Sequence, residues 1–176
     1  MKFTPSKIHG AYIIELTGFA DERGFFARTF CAEEFQKIGI EFPVSQCSTS
    51  YNKTKGTLRG MHYQKDPFSE KKLVRCTRGR IYDVILDLRK NSPSYLQWDA
   101  LELSADNRKS FFMPEGVAHG FQTLEDDSEI FYQMSAPFNA AHYAGVRWND
   151  PRFGIQWPDA SHRIISVKDA EFPDFS

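Results

Sequence analysis

Residues 56–64 read Gly56-Thr57-Leu58-Arg59-Gly60-Met61-His62-Tyr63-Gln64. Side chains of an extended chain alternate between faces, so Leu58, Gly60, His62 and Gln64 share one side. A histidine is thereby aimed into whatever that side encloses. The next apolar run, Lys71 to Thr77, sets Lys72, Val74 and Cys76 on one face and Lys71, Leu73 and Arg75 on the other. A lysine pointing into a β core needs a reason, because lysine is among the side chains least often buried. Outward from this pair, β-branched and aromatic residues cluster in short runs between Gly, Pro, Asn, Asp and Ser. The spacing predicts strands over 12–16, 24–30, 44–50, 57–64, 71–77, 81–88, 98–104, 110–113, 118–124 and 129–135. One helix is expected, Ala32 to Ile38, with Phe35 and Ile38 on a shared buried face and Glu33, Glu34 and Lys37 wet. So many short strands belong to an all-β sandwich or barrel.

At 176 residues the chain suits one well-buried domain, 1–176. Hydrophobic residues at 41% and charged residues at 26% exclude a disordered chain. With 22 Lys and Arg against 23 Asp and Glu, no excess positive field is available for nucleic acid or anionic lipid. Apolar runs break off far short of the ~18 residues of a membrane span, and the amino terminus lacks the apolar core of a secretion signal. Cys31, Cys47 and Cys76 are odd in number and widely spaced, which argues for neither a disulfide framework nor a thiolate metal site. A cytoplasmic protein is expected, with no nucleic-acid or membrane partner.

A second motif, Pro114-Glu115-Gly116-Val117-Ala118-His119, turns a histidine into a strand and resembles the second motif of cupins. Cupins usually pair it with H-x-H and a Glu to hold Zn, Fe or Mn. Here the first half reads Met61-His62-Tyr63-Gln64, so a three-histidine site cannot be assembled; the expected metal ligands are none and no cofactor is implied. Arg59 to Gln64, Lys72 to Cys76, Asp87 to Ser94, Pro114 to Phe121, Arg147 to Pro151 and Ser166 to Asp169, with Asp21 to Phe26, together resemble the dTDP-4-dehydrorhamnose 3,5-epimerase family. That resemblance implies a cupin-like jelly roll (a double-stranded β-helix) with a few short helices. It also implies a homodimer exchanging amino-terminal strands.

The implied reaction suits the side chains present. In a nucleotide-linked 4-keto-6-deoxyhexose, the C4 ketone acidifies the hydrogens on C3 and C5, because the carbanion is stabilised as an enolate. Such an epimerase needs a base, an acid and an oxyanion partner. The resemblance assigns these to His62 with Asp169, to Tyr132 and to Lys72. It assigns sugar or diphosphate contacts to Arg23, Arg59, His119 and Lys168, and nucleobase platforms to Phe26 and Phe138. Arg28, Tyr143 and positions near Cys47 and Thr49 depart from the family where it reads the nucleotide, leaving CDP, UDP and GDP carriers open beside dTDP. His9, His142 and His162 are expected on the surface or in loops, Trp148 and Trp157 as anchors of an irregular carboxyl-terminal wrap, and Asp126-Asp127 in a hairpin turn. Two other readings stay open: a metal-dependent cupin isomerase or dioxygenase, and a non-catalytic sugar-nucleotide-binding cupin.

Overall fold

A computed structural model describes residues 1–175. Its strands are β1 (Lys2–Pro5), β2 (Tyr12–Glu15), β3 (Gly18–Asp21), β4 (Gly24–Ala27), β5 (Gln46–Asn52), β6 (Thr57–Gln64), β7 (Lys72–Arg78), β8 (Arg80–Asp87), β9 (Trp98–Ser104), β10 (Ser110–Met113), β11 (Val117–Thr123), β12 (Ser128–Met134), β13 (Tyr143–Gly145) and β14 (Ile164–Ile165). Two short helices accompany them, α1 (Ala32–Gln36) and α2 (Val167–Ala170).

Two sheets carry the architecture. One runs β1-β2-β10-β7-β12-β5, the other β13-β6-β11-β8-β9 with β14 also on β6. From β5 to β12 the chain changes sheet at every step except between β8 and β9. That alternation is the double-stranded β-helix of a cupin jelly roll. Period-two patterning fills the space between the sheets: Val74 and Cys76 from β7, Ile81 and Ile85 from β8, Phe111 and Met113 from β10 and Ile130 from β12 are all buried there. Each such side chain contributes about 1.5–3 kcal/mol by leaving water.

Both outer faces are also covered. Leu73 and Phe112, pointing away from the sandwich, meet Phe35 of α1 and Phe42, and the Phe35 and Phe112 rings stand 5.5 Å apart at 72°. On the other side Met61, Val84 and Leu86 are roofed by Val146, Phe153 and Trp157 of the carboxyl-terminal wrap. Trp157 Nε1 donates to the Trp148 carbonyl at 2.8 Å, so both tryptophans anchor that wrap as expected.

Several details differ from the sequence expectation. The helix stops at Gln36, and Ile38 continues only as a turn through its N–H bond to the Phe35 carbonyl. Strands β1, β3, β13 and β14 and helix α2 were not expected. The Asp126-Asp127 turn is not a hairpin, because β11 and β12 lie in opposite sheets. Cys76 is a core residue whose thiol burial pushes up to about 11, whereas Cys47 faces solvent. No helix among the described residues is long and apolar enough to cross a membrane.

Candidate active site

The sheets diverge at one end and leave a cleft of about 330 Å³. Gln46, Ser48, Lys72 and Tyr132 reach it from one sheet; Arg59, His62 and His119 reach it from the other. His62 Nε2 lies 2.7 Å from Asp169 Oδ1, although the two are 107 positions apart in the chain. Three local devices make that possible. Strand β14 pairs in parallel with β6 through Thr57 and Leu58, the Ser166 side chain caps α2 by accepting from the Asp169 N–H at 3.1 Å, and Asp169 Oδ2 accepts from the Gly60 N–H at 3.2 Å. Phe172 packs beside the histidine with ring centroids 6.0 Å apart, and a Cβ on Gly145 would stand 2.3 Å from its ring. Only glycine admits Phe172 there.

Burial would raise the Asp169 pKa, but its hydrogen bonds from His62 and Gly60 outweigh that and hold it below the ordinary carboxylate range. Asp169 is therefore an acceptor, and His62 carries its proton on Nε2 with the lone pair on Nδ1. Burial lowers the His62 pKa; Asp169 opposes this, and the charges of Lys72 and His119 add to it. The imidazole is neutral at pH 7, the form a base requires.

Tyr132 sits on the opposite sheet. Burial, then the Asp83 carboxylate, pushes its phenol far up, with Arg59 opposing, so it stays protonated at any ordinary pH. Lys72, the inward lysine, pairs with Glu70 at 2.9 Å, both side chains being about nine-tenths buried. Gln64 Nε2 donates to the other Glu70 oxygen at 2.8 Å, and Gln64 Oε1 accepts from the Asn139 N–H at 2.6 Å, tying this pair to the loop of Phe138. His119 Nε2 lies 2.7 Å from Asp83 Oδ1, with both side chains buried. Glu70 and Asp83 were missed by sequence reasoning. The signal for Asp83 was available: it falls between Ile81 and Ile85 at period two, an acid on the inward face of a core strand.

Arg59 reaches the same cleft as His62 against simple alternation. Residues 59 and 62 of β6 pair with 121 and 119 of β11, three steps against two, which is a bulge. Gly60, inside it, has φ 134°, and a Cβ there would stand 2.5 Å from the Gly120 Cα. Arg59 Nε then donates to the buried Asn52 Oδ1 at 2.8 Å.

The remaining candidates divide. Phe138 lines the cleft, half-exposed, with its ring 5.7 Å from that of Tyr143; Lys168 stands just outside, its Nζ 4.0 Å over the same Tyr143 ring. Tyr143 itself lies 5.2 Å from the His62 ring. Arg23 and Phe26 are not brought to the cleft of their own chain. They lie on the β3–β4 hairpin, where Phe19 and Phe26 are 84% and 78% exposed and Arg23 pairs with Asp21. Arg28 faces Glu34 at 3.4 Å. Cys47 and Thr49 point away from the cleft; the β5 side chains inside it are Gln46 and Ser48.

A jelly roll whose cleft sets a neutral histidine, held by a carboxylate, against a protonated tyrosine with an ammonium group nearby has the groups that a cupin-type epimerase needs for proton transfer at carbon. The chain belongs to the dTDP-4-dehydrorhamnose 3,5-epimerase family, whose model matches residues 5–176. It is an isomerase, and its activity is epimerisation of a sugar nucleotide at C3, C5 or both. It is 40% identical over 173 residues to the dTDP-4-dehydrorhamnose 3,5-epimerase of Sinorhizobium fredii, covering 98% of this chain and 89% of that one. The Elizabethkingia anophelis enzyme of that name superposes with a TM-score of 0.96 at 36% identity, covering 99% of this chain and 96% of that one. The Bacillus anthracis enzyme, solved with TDP and pyrophosphate bound, gives 0.95 at 38% identity with 99% of each chain covered.

Proposed function

We propose that the protein inverts both C3 and C5 of dTDP-4-dehydro-6-deoxyglucose, giving dTDP-4-dehydro-L-rhamnose for deoxysugar and polysaccharide biosynthesis. One observation carries this: His62 and Tyr132 face a single cleft from opposite sheets. The His62 Nδ1 lone pair takes the hydrogen from C5 or C3 as a proton, and the electron pair of that C–H bond passes into the enolate. The Lys72 ammonium stabilises the C4 oxygen as charge develops there. The Tyr132 O–H bond then breaks as a new C–H bond forms on the opposite face, and the centre is inverted. Arg59, His119 and Lys168 hold sugar and diphosphate oxygens, and Phe138 stacks on the base.

Residues 1–176 act as one domain in this scheme. Exchange of amino-terminal strands in a homodimer carries Arg23 and Phe26 into the neighbouring cleft, and the exposed phenylalanines of the β3–β4 hairpin support that placement. A cytoplasmic location accords with three free thiols. Proton NMR of dTDP-4-dehydro-6-deoxyglucose in deuterated water with the protein tests the proposal. Loss of both the C3 and C5 signals supports it, loss of one reduces it to mono-epimerisation, and loss of neither, with the CDP, UDP and GDP analogues equally inert, refutes it.

A further inference from the structure

Each inversion leaves the site in the wrong protonation state: His62 holds a proton it took from carbon, and Tyr132 has given one away. A second inversion, or a second turnover, requires that proton to cross the cleft. His119 adjoins both groups at the cleft. It is the register partner of His62 on the adjacent strand, and its ring stands 5.9 Å from the Tyr132 ring at 78°. Like His62 it has Nε2 on a carboxylate, Asp83 Oδ1, which leaves Nδ1 as its second proton-carrying atom. Asp83 is wholly buried, and its Oδ2 has no hydrogen-bond partner among the described residues.

We propose that His119, held by Asp83, is the proton-return relay that resets the acid and the base between inversions. This rests on the assignment of His62 as base and Tyr132 as acid. The His62 imidazolium loses its Nδ1 proton through cleft water, His119 takes one up at Nδ1 and passes it to the Tyr132 phenolate, and no charge is gained or lost. The final transfer runs downhill, because burial and then the Asp83 charge disfavour the Tyr132 phenolate. Asp83 acts only through His119 and is a positioning residue.

The test compares Asp83→Asn with the parent protein in deuterated water, first with enzyme in excess over dTDP-4-dehydro-6-deoxyglucose, then with substrate in excess. The first exchange is expected to persist while steady-state turnover falls on the order of 100-fold, the scale of a lost proton-transfer group. A burst of one exchange per site should follow, and added imidazole should restore turnover. Equal losses in both regimes without imidazole rescue, or no loss in either, overturns the relay. If Asp83→Asn does not fold, Asp83→Ser is read by the same burst and rescue criteria. Persistence of exchange in His62→Ala or of inversion in Tyr132→Phe refutes the underlying assignment instead, so the two failures are distinguishable.

Discussion

Replacing Asp169 by asparagine removes one charge and almost no volume, and the geometry says what that costs. The carboxylate receives two donors, His62 Nε2 at 2.7 Å and the Gly60 N–H at 3.2 Å. An amide offers only one oxygen. If that oxygen faces His62, the NH2 group confronts the Gly60 N–H and leaves a buried donor unpaired, at about 1–3 kcal/mol. If it faces Gly60, the NH2 group confronts Nε2 and selects the tautomer protonated on Nδ1, which has no lone pair for the substrate. Even the productive seating loses the charge that steadies the imidazolium, about 4 kcal/mol for unit charges roughly 4 Å apart at an effective dielectric of about 20, of which the amide dipole restores part. The sum, about 4–5 kcal/mol, corresponds to a fall in kcat of about 10³–10⁴. Deuterium exchange at C3 and C5, followed by NMR alongside a thermal melt, measures it. A folded Asp169→Asn protein exchanging within about tenfold of the parent rate would refute the assignment of this pair as the base.

The same geometry sets further outcomes. Tyr132→Phe should lower product formation by about 10²–10⁴ while C–H exchange at the His62 face continues, separable by comparing deuterium loss with chromatographic product. Because burial lowers the His62 pKa, the acid limb of kcat/KM should have its midpoint below the ordinary value of about 6.5 in a pH–rate profile. The sign for stability is the same: the contribution of the neutral imidazole is complete above the unfolded pKa and disappears as pH falls through the folded one. Asp87 lies away from the cleft; burial would raise its pKa, but hydrogen bonds from Arg89, Ser92 and Ser94 hold it down at about 2. That preference contributes about 2 kcal/mol, complete above the unfolded value near ~4 and lost toward pH 2, and Asp87→Ala should lower Tm without changing kcat.

The strands that match expectation residue for residue, β6, β9 and β10, begin and end at abrupt changes of composition, such as Lys109 to Ser110 and Met113 to Pro114. Strand β1 escaped because Lys2-Phe3-Thr4-Pro5 has a single aromatic and one β-branched residue, and its strand character comes from pairing with β2. Helix α2 is four residues, too short for any period, and is fixed by the Ser166 cap instead. The same distinction governs the site. His62, Lys72 and His119 could be placed on inward faces from local alternation. Arg59 could not, because the bulge that redirects it exists only in the pairing of β6 with β11. Glu70 and Asp83 gain their meaning from partners on the cleft wall, and the roles of Asp169 and Tyr132 came through family resemblance rather than pattern. Arg23 and Phe26 stand apart from the cleft of their own chain, and in the proposed dimer it is the second copy that supplies them.

The carboxylate proposed to orient the base belongs to the last segment of the chain, which is fastened back onto the sandwich by two residues of parallel pairing on β6, by the Phe172 ring over Gly145 and by the hydrogen bonds of Gly60, Arg163 and Asp150. During synthesis the whole sandwich, from β5 to β12, leaves the ribosome before Asp169 does. A nascent chain can thus have folded its sandwich while His62 still lacks its carboxylate partner. A protease that nicked the exposed stretch around Asp159 to His162 and released the carboxyl-terminal piece bearing Asp169 would return His62 to that unpartnered state, with the core of the sandwich untouched.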